Sequence, residues 1–221
     1  MKISLLSLSD NVKDNNGWLS LLAMLTTLYL SLLINIPIEI LSAVIILATV
    51  YSSLCFFGKK TTGMLMIICF TIGAAAEMSS LYTGFPFGFY NYTSVLQPQL
   101  YGLPIFIPLL WFSLTFIAML AFNTAIPFAM LLFDLLLDPV WSKVLWVWSK
   151  TEGEPLFLNI PLTNFLGWFI VSSAMVFFIR KYAIKAGDKE IVSRNGFIIF
   201  ALFTLNIFFK LMITQAGLSV I

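Results

Sequence analysis

Residues 38–82 read IEILSAVIILATVYSSLCFF-GKK-TTGMLMIICFTIGAAAEMSSLY. Two apolar runs, about Ile38 to Phe57 and about Thr62 to Tyr82, flank a break at Gly58-Lys59-Lys60. Each run holds about 20 residues, the length an α-helix needs to cross roughly 30 Å of hydrocarbon. The stretch therefore predicts two membrane helices with a basic break between them.

The same pattern extends in both directions. A run from Trp18 to about Ile36 ends at Pro37. Beyond Tyr82 comes a segment rich in Gly, Pro and aromatic residues, Thr83 to about Gly102. Further runs cover about Leu103 to Ala121, about Ala125 to Val140, about Leu162 to Ile179 and about Gly196 to Ile213. The predicted fold is all-α, a polytopic membrane bundle of about seven helices. Composition agrees. The 221 residues are 60% hydrophobic and 10% charged, whereas a soluble chain is about 25% charged. Mean hydropathy is +0.99. Residues 1–16 are expected to form a mobile tail, since their apolar part is short and broken by serines and lacks a cleavage site. Residues 17–221 then make one transmembrane domain. No internal repeat is visible, which argues against an inverted-repeat transporter.

Basic residues set the orientation. With a cytoplasmic N-terminus, Lys2, Lys13, Lys59, Lys60, Arg180, Lys181, Lys185, Lys189 and Arg194 lie inside. Lys143 and Lys150 lie outside, and Lys210 falls within the last helix. Both aromatic segments, Thr83–Gly102 and Trp141–Pro161, are then external. The expected location is a cell membrane, spanned many times, of the prokaryotic plasma-membrane kind. A net charge of +2 gives no reason to expect nucleic acid as a partner. The chain has no histidine, which excludes His-box iron hydroxylases, His-ligated haem and Ser-His or Cys-His dyads. Cys55 and Cys69 sit in apolar runs and read as small packing residues, not as a disulfide or zinc site.

Acids inside apolar runs are functional candidates, because burying one costs several kcal/mol. Glu39 follows Pro37 and reads as a first-turn acid stabilised by free amides. Glu77 is near the outer end of the third run. Asp138 is near the outer end of the fifth, and Asp134 lies one turn deeper on the same face. Two carboxyls one turn apart in a low dielectric do not both ionise, so the pair offers a neutral acid beside a base. Read without function, the three would be a polar cluster that ties helices together. Phe85, Phe87, Phe89, Tyr90, Tyr92 and Tyr101 crowd one outer loop, and Trp141, Trp146 and Trp148 the other. An interfacial belt accounts for some of them. The density of Thr83-Gly84-Phe85-Pro86-Phe87-Gly88-Phe89-Tyr90 suggests more: a folded-back wall whose rings can stabilise a cation.

These residues also carry a resemblance. Glu77, then Thr83 to Tyr92, then Tyr101-Gly102-Leu103-Pro104 is similar to a signature of a membrane carotenoid biosynthesis family. That family includes bisanhydrobacterioruberin hydratase and γ-carotene 1′-hydroxylase. Asp134-Leu135-Leu136-Leu137-Asp138-Pro139-Val140, Trp146-Val147-Trp148 and Asn159 to Trp168 resemble its second signature. The likeness covers roughly Ala75 to Ser173. It departs at Glu152-Gly153-Glu154-Pro155-Leu156-Phe157, where an aromatic and glycine-rich step is expected.

The resemblance implies addition of water across the terminal C1=C2 double bond of an acyclic carotenoid end, with no cofactor and no metal. Protonation of the less substituted carbon leaves a tertiary cation for water to capture. It implies Glu77, Asp134 and Asp138 as catalytic groups, and Phe87, Tyr90, Tyr92, Trp111, Asn164 and Trp168 around the substrate, with Asn164 beside the water. Expected partners are water and a carotenoid entering from the bilayer, with homo-oligomers or other carotenoid enzymes as further associations. Two other functions fit some of the residues. A proton-coupled transporter would use the acids as a relay. A retinal-binding seven-helix protein would use Lys210, although Asn206 stands where such a protein carries an acid.

Overall fold

The computed structural model describes residues 5–149, 156–183 and 193–215. Among the described residues six α-helices carry the fold: α1 Leu5–Leu30, α2 Ile38–Thr83, α3 Phe106–Ala121, α4 Ile126–Trp141, α5 Leu162–Phe178 and α6 Arg194–Gln215. A π-helical turn, Ile179–Ala183, extends α5.

The two runs read as separate helices join as α2, but its backbone leaves helical geometry at Gly58, with φ 73° and ψ 175°. A straight helix would put Leu41 and Glu77 about 54 Å apart, yet both line one cavity. The Ser53 and Thr62 hydroxyls also meet at 2.9 Å. Gly58 therefore folds α2 back on itself, because only glycine adopts this backbone without strain.

The first helix differs more from expectation. It begins at Leu5 and takes in most of the stretch expected to be a tail. An α-helix satisfies its own backbone groups, so it continues through polar sequence without an apolar face. At the other end α1 stops at Leu30, and bends precede Pro37. Glu39 is in the first turn of α2, as expected of a first-turn acid.

Helix α3 is apolar all round and buried along most of its length, which makes it the centre of the bundle. It packs on α2 and α6, while α4 packs on α5 and α6. Gly196 allows α6 to approach α3 so closely that a Cβ there would lie 2.0 Å from the Leu120 carbonyl oxygen. Side-chain hydrogen bonds also join the helices. Thr49 donates to Ser113 at 2.9 Å, Ser52 to the Gly17 carbonyl at 2.8 Å, and Asn206 to the Leu28 carbonyl at 3.0 Å. Large apolar side chains face outward along the rods, among them Leu47, Ile67, Phe128, Leu166 and Phe177. So much exposed apolar surface suits lipid and not water. Among the described residues three helical stretches are long and apolar enough to cross a membrane: Ile38–Thr83, Leu162–Ala183 and Arg194–Gln215. The chain is a membrane protein.

The loops expected to be irregular contain short strands. Strand β1 (Tyr90–Tyr92) pairs antiparallel with β4 (Trp146–Trp148). The pairs β2 (Gln99–Leu100) with β3 (Leu103–Pro104), and β5 (Leu156–Phe157) with β6 (Ile160–Pro161), form smaller hairpins. The β1–β4 pairing places both aromatic loops on the same end of the bundle, as the sequence predicts. Of the departing stretch, residues 152–155 lie outside the described residues, and Leu156–Phe157 form β5.

Candidate functional site

Strand alternation builds one wall of the site. Tyr90 stands opposite Trp148 and Tyr92 opposite Trp146, with Asn91 and Val147 between them. Successive side chains alternate faces. The two tyrosines and two tryptophans therefore share one face, which lines a cavity of about 140 Å³. The intervening Asn91 and Val147 are exposed.

Glu77 enters this cavity from α2, six residues before the helix ends at Thr83. Gly84 has φ 75° and caps the helix by donating its N–H to the Ser80 carbonyl. The Ser80 hydroxyl in turn accepts the Phe87 N–H at 2.9 Å, which fixes the loop as it leaves the helix. Three donors converge on the Glu77 carboxyl. Trp111 Nε1 donates to Oε1 at 2.9 Å. Tyr92 donates to Oε2 at 2.8 Å, and Tyr90 donates to the same oxygen. An indole N–H can only donate, so the arrangement suits an ionised carboxylate. Burial, and then the Glu77 carboxylate, hold both phenols well above the ordinary tyrosine range, so at neutral pH they remain O–H donors.

Asp134 and Asp138 come from α4, one turn apart, and are 0% and 2% exposed. Their carboxyls are brought together by one shared partner. Asn164, in the first turn of α5, donates its amide to both Asp134 oxygens at 2.9 Å and to Asp138 Oδ2 at 2.8 Å. The residue expected beside the water thus spends its amide hydrogens on the aspartate pair. Asp138 and Asn164 line the cavity, whereas Asp134 stands behind them. Glu77 and Asp138 face the same cavity.

The remaining predicted residues also gather here. Phe87 stacks on Trp111, with centroids 5.9 Å apart, and Trp111 meets Trp168 at 4.3 Å. All three line the cavity. The structure therefore brings together Glu77, Asp138, Phe87, Tyr90, Tyr92, Trp111, Asn164 and Trp168, with Asp134 directly behind.

Sequence reasoning did not place Trp146, Trp148, Trp141 or Lys210 in the site. The Trp-Val-Trp alternation was a signal for the first two, but their partner strand lies more than fifty residues away in sequence. Lys210 was visible as a cation inside an apolar run. It is 6% exposed, and its Nζ lies 5.2 Å from the centre of the Trp141 ring at the cavity wall. Among the described residues no cluster of three or more His, Cys, Asp or Glu side chains is arranged to hold a metal ion.

A family model described as "Carotenoid biosynthesis protein" matches residues 34–221. The match runs well beyond the signatures, into α2 before Glu77 and through α6. No curated protein and no solved structure matches the chain.

Proposed function

The chain belongs to the carotenoid biosynthesis protein family, and on that premise we propose that it is a hydratase, adding water across the terminal C1=C2 double bond of an acyclic carotenoid end group. The observation that supports this reading is the meeting of Glu77 and the Asp134–Asp138 pair at one apolar, aromatic-walled cavity. Two buried carboxyls that share the Asn164 amide do not both ionise, so the pair keeps a proton. Asp138 faces the cavity and is the donor, while Asp134 backs it and shares the proton.

The proton adds to C2, and the alkene π electrons form the new C–H bond. Positive charge appears at C1, where two methyl groups and the chain stabilise it. The faces of Trp111, Trp168 and Tyr90 favour a cation beside them, and the Glu77 carboxylate offsets its charge through the low-dielectric cavity. Water adds to C1 and gives up a proton to the aspartate pair, which restores the acid. The sum is alkene plus water to tertiary alcohol. No electrons are exchanged with a second reagent.

The carotenoid enters from the bilayer with its end group at the external loops and its polyene directed toward the cytoplasmic side. The protein is proposed to be a multi-pass cell-membrane enzyme with a cytoplasmic N-terminus. The test is expression in a host that makes lycopene or bisanhydrobacterioruberin, grown with 18O-labelled water. A gain of one labelled water per hydrated end is expected. An unchanged carotenoid, or oxygen taken from O2, would overturn the proposal.

A further inference from the structure

The acids account for the proton but not for the position of the water. Most polar groups around the cavity are already occupied. Glu77 receives three donors, and the Asn164 amide is spent on the aspartates. Two donors are different. The indole Nε1 atoms of Trp146 and Trp148 are buried and have no hydrogen-bond partner among the described residues. Both tryptophans line the cavity that Asp138 also lines. A buried donor without an acceptor is costly, and such groups call for an explanation in a native structure.

Packing does not require these N–H groups. Trp148 meets Tyr90 edge to face at 5.0 Å between centroids, and Trp146 meets Tyr92 at 6.2 Å. A phenylalanine would keep a ring in each place. A water molecule in an apolar cavity, however, needs two to four polar partners. The indoles supply donors, and Asp138 supplies an acceptor once it has released its proton.

We propose that the indole N–H groups of Trp146 and Trp148 hold the oxygen that the reaction adds, first as water and then as the tertiary hydroxyl group. This rests on the hydratase reading. At the moment of attack one indole N–H holds one oxygen lone pair while the other lone pair adds to C1 and the O–H faces the aspartate. Once that proton has left, the tertiary hydroxyl has two lone pairs, one for each indole. The indoles thus separate capture of the cation from its formation. Without them the cation still forms, but it collapses by losing a proton and returns to alkene.

The experiment is turnover in D2O by membranes containing wild type, W146F, W148F or the double variant, with products resolved by mass. Hydration adds D2O to the end group. Abortive protonation leaves deuterium in an alkene that has gained no water. The wild type should hydrate with little exchange. The variants should raise the ratio of exchange to hydration by about tenfold, the scale of one lost hydrogen bond. The ratio does not depend on how much protein folds, and the single variants supply it if the double variant accumulates poorly. A wild-type ratio in both single variants overturns the assignment, whether their total rate is normal or reduced. A wild type that shows neither hydration nor exchange would instead defeat the hydratase reading itself.

Discussion

Trp111 donates its indole N–H to Glu77 Oε1 at 2.9 Å while packing against Gly73, one turn before Glu77 on the same face of α2. A Cβ at position 73 would stand 2.8 Å from Trp111 Cδ1. The glycine makes room for the ring that holds the carboxylate, and Trp111 then supports Trp168 across the cavity. Gly73→Ala should push Trp111 off Glu77 and lower the hydration rate by about 10²-fold, as small misplacements in a site do. Initial rates measure this. Combining it with Trp111→Phe should cost little more than Trp111→Phe alone, because both act through one contact.

Glu77→Gln replaces an acceptor oxygen with an N–H₂ group that must face Trp111 or the two tyrosines, all of them donors. The variant should lose about 1–3 kcal/mol of stability through unsatisfied buried donors. Its hydration rate should fall about 10²–10³-fold, the scale of one lost electrostatic contact to a developing charge. Thermal unfolding in detergent and product yield check the two effects separately. A stable, fully active Glu77→Gln would show that the carboxylate's charge is not used.

The two aspartates should not respond alike. Asp138 lines the cavity and Asp134 stands behind it. Asp138→Asn should reduce turnover by about 10²–10⁴-fold, the range for a lost general acid. Asp134→Asn leaves Asp138 in place to protonate the alkene and should cost distinctly less. Rates of the two variants at equal protein level decide this; equal losses would contradict the assignment of Asp138 as the donor.

Much of the architecture was legible because lipid simplifies the code. Apolar runs and prolines marked the rods, and acids within them marked the site. The i, i+4 spacing of Asp134 and Asp138 placed both on one face of α4, and the basic residues grouped the two aromatic loops on one end. What was not legible depends on pairing between distant segments. The β1–β4 register, which turns Trp146 and Trp148 toward the cavity, is fixed by contact between loops more than fifty residues apart. The contact of Asn164 with both aspartates was not legible either, because its sequence neighbourhood says nothing of how α5 crosses α4. The start of α1 at Leu5 is not legible for a different reason, since helix continuation through polar residues leaves no apolar signal.

Gly196 offers a test of packing away from the site. A Cβ at this position would lie 2.0 Å from the Leu120 carbonyl oxygen and 2.6 Å from its carbonyl carbon. Backbone on α3 cannot rotate aside as a side chain can, so α6 must move outward. Gly196→Ala should destabilise by at least about 1–3 kcal/mol, the usual range for overpacking. A clear fall in the Tm of the detergent-solubilised protein is expected, and an unchanged Tm would mean the helices have room to separate freely.

Orientation can be tested with single cysteines, in a background where Cys55 and Cys69 are replaced by alanine. Lys59 is exposed beside the Gly58 fold-back, and Tyr101 is 75% exposed in the loop between β2 and β3. The second arm of α2 and the loop after it separate these positions, so they should lie on opposite sides of the membrane. The clustering of Lys59 and Lys60 is the reason to expect the fold-back on the cytoplasmic side. A membrane-impermeant thiol reagent applied to intact cells should label Tyr101→Cys, and should reach Lys59→Cys only after the membrane is opened. Labelling of both from outside would contradict the fold-back at Gly58. The reverse pattern would keep the fold and invert its orientation, moving the carboxylate cavity to the cytoplasmic half and the carotenoid's approach with it.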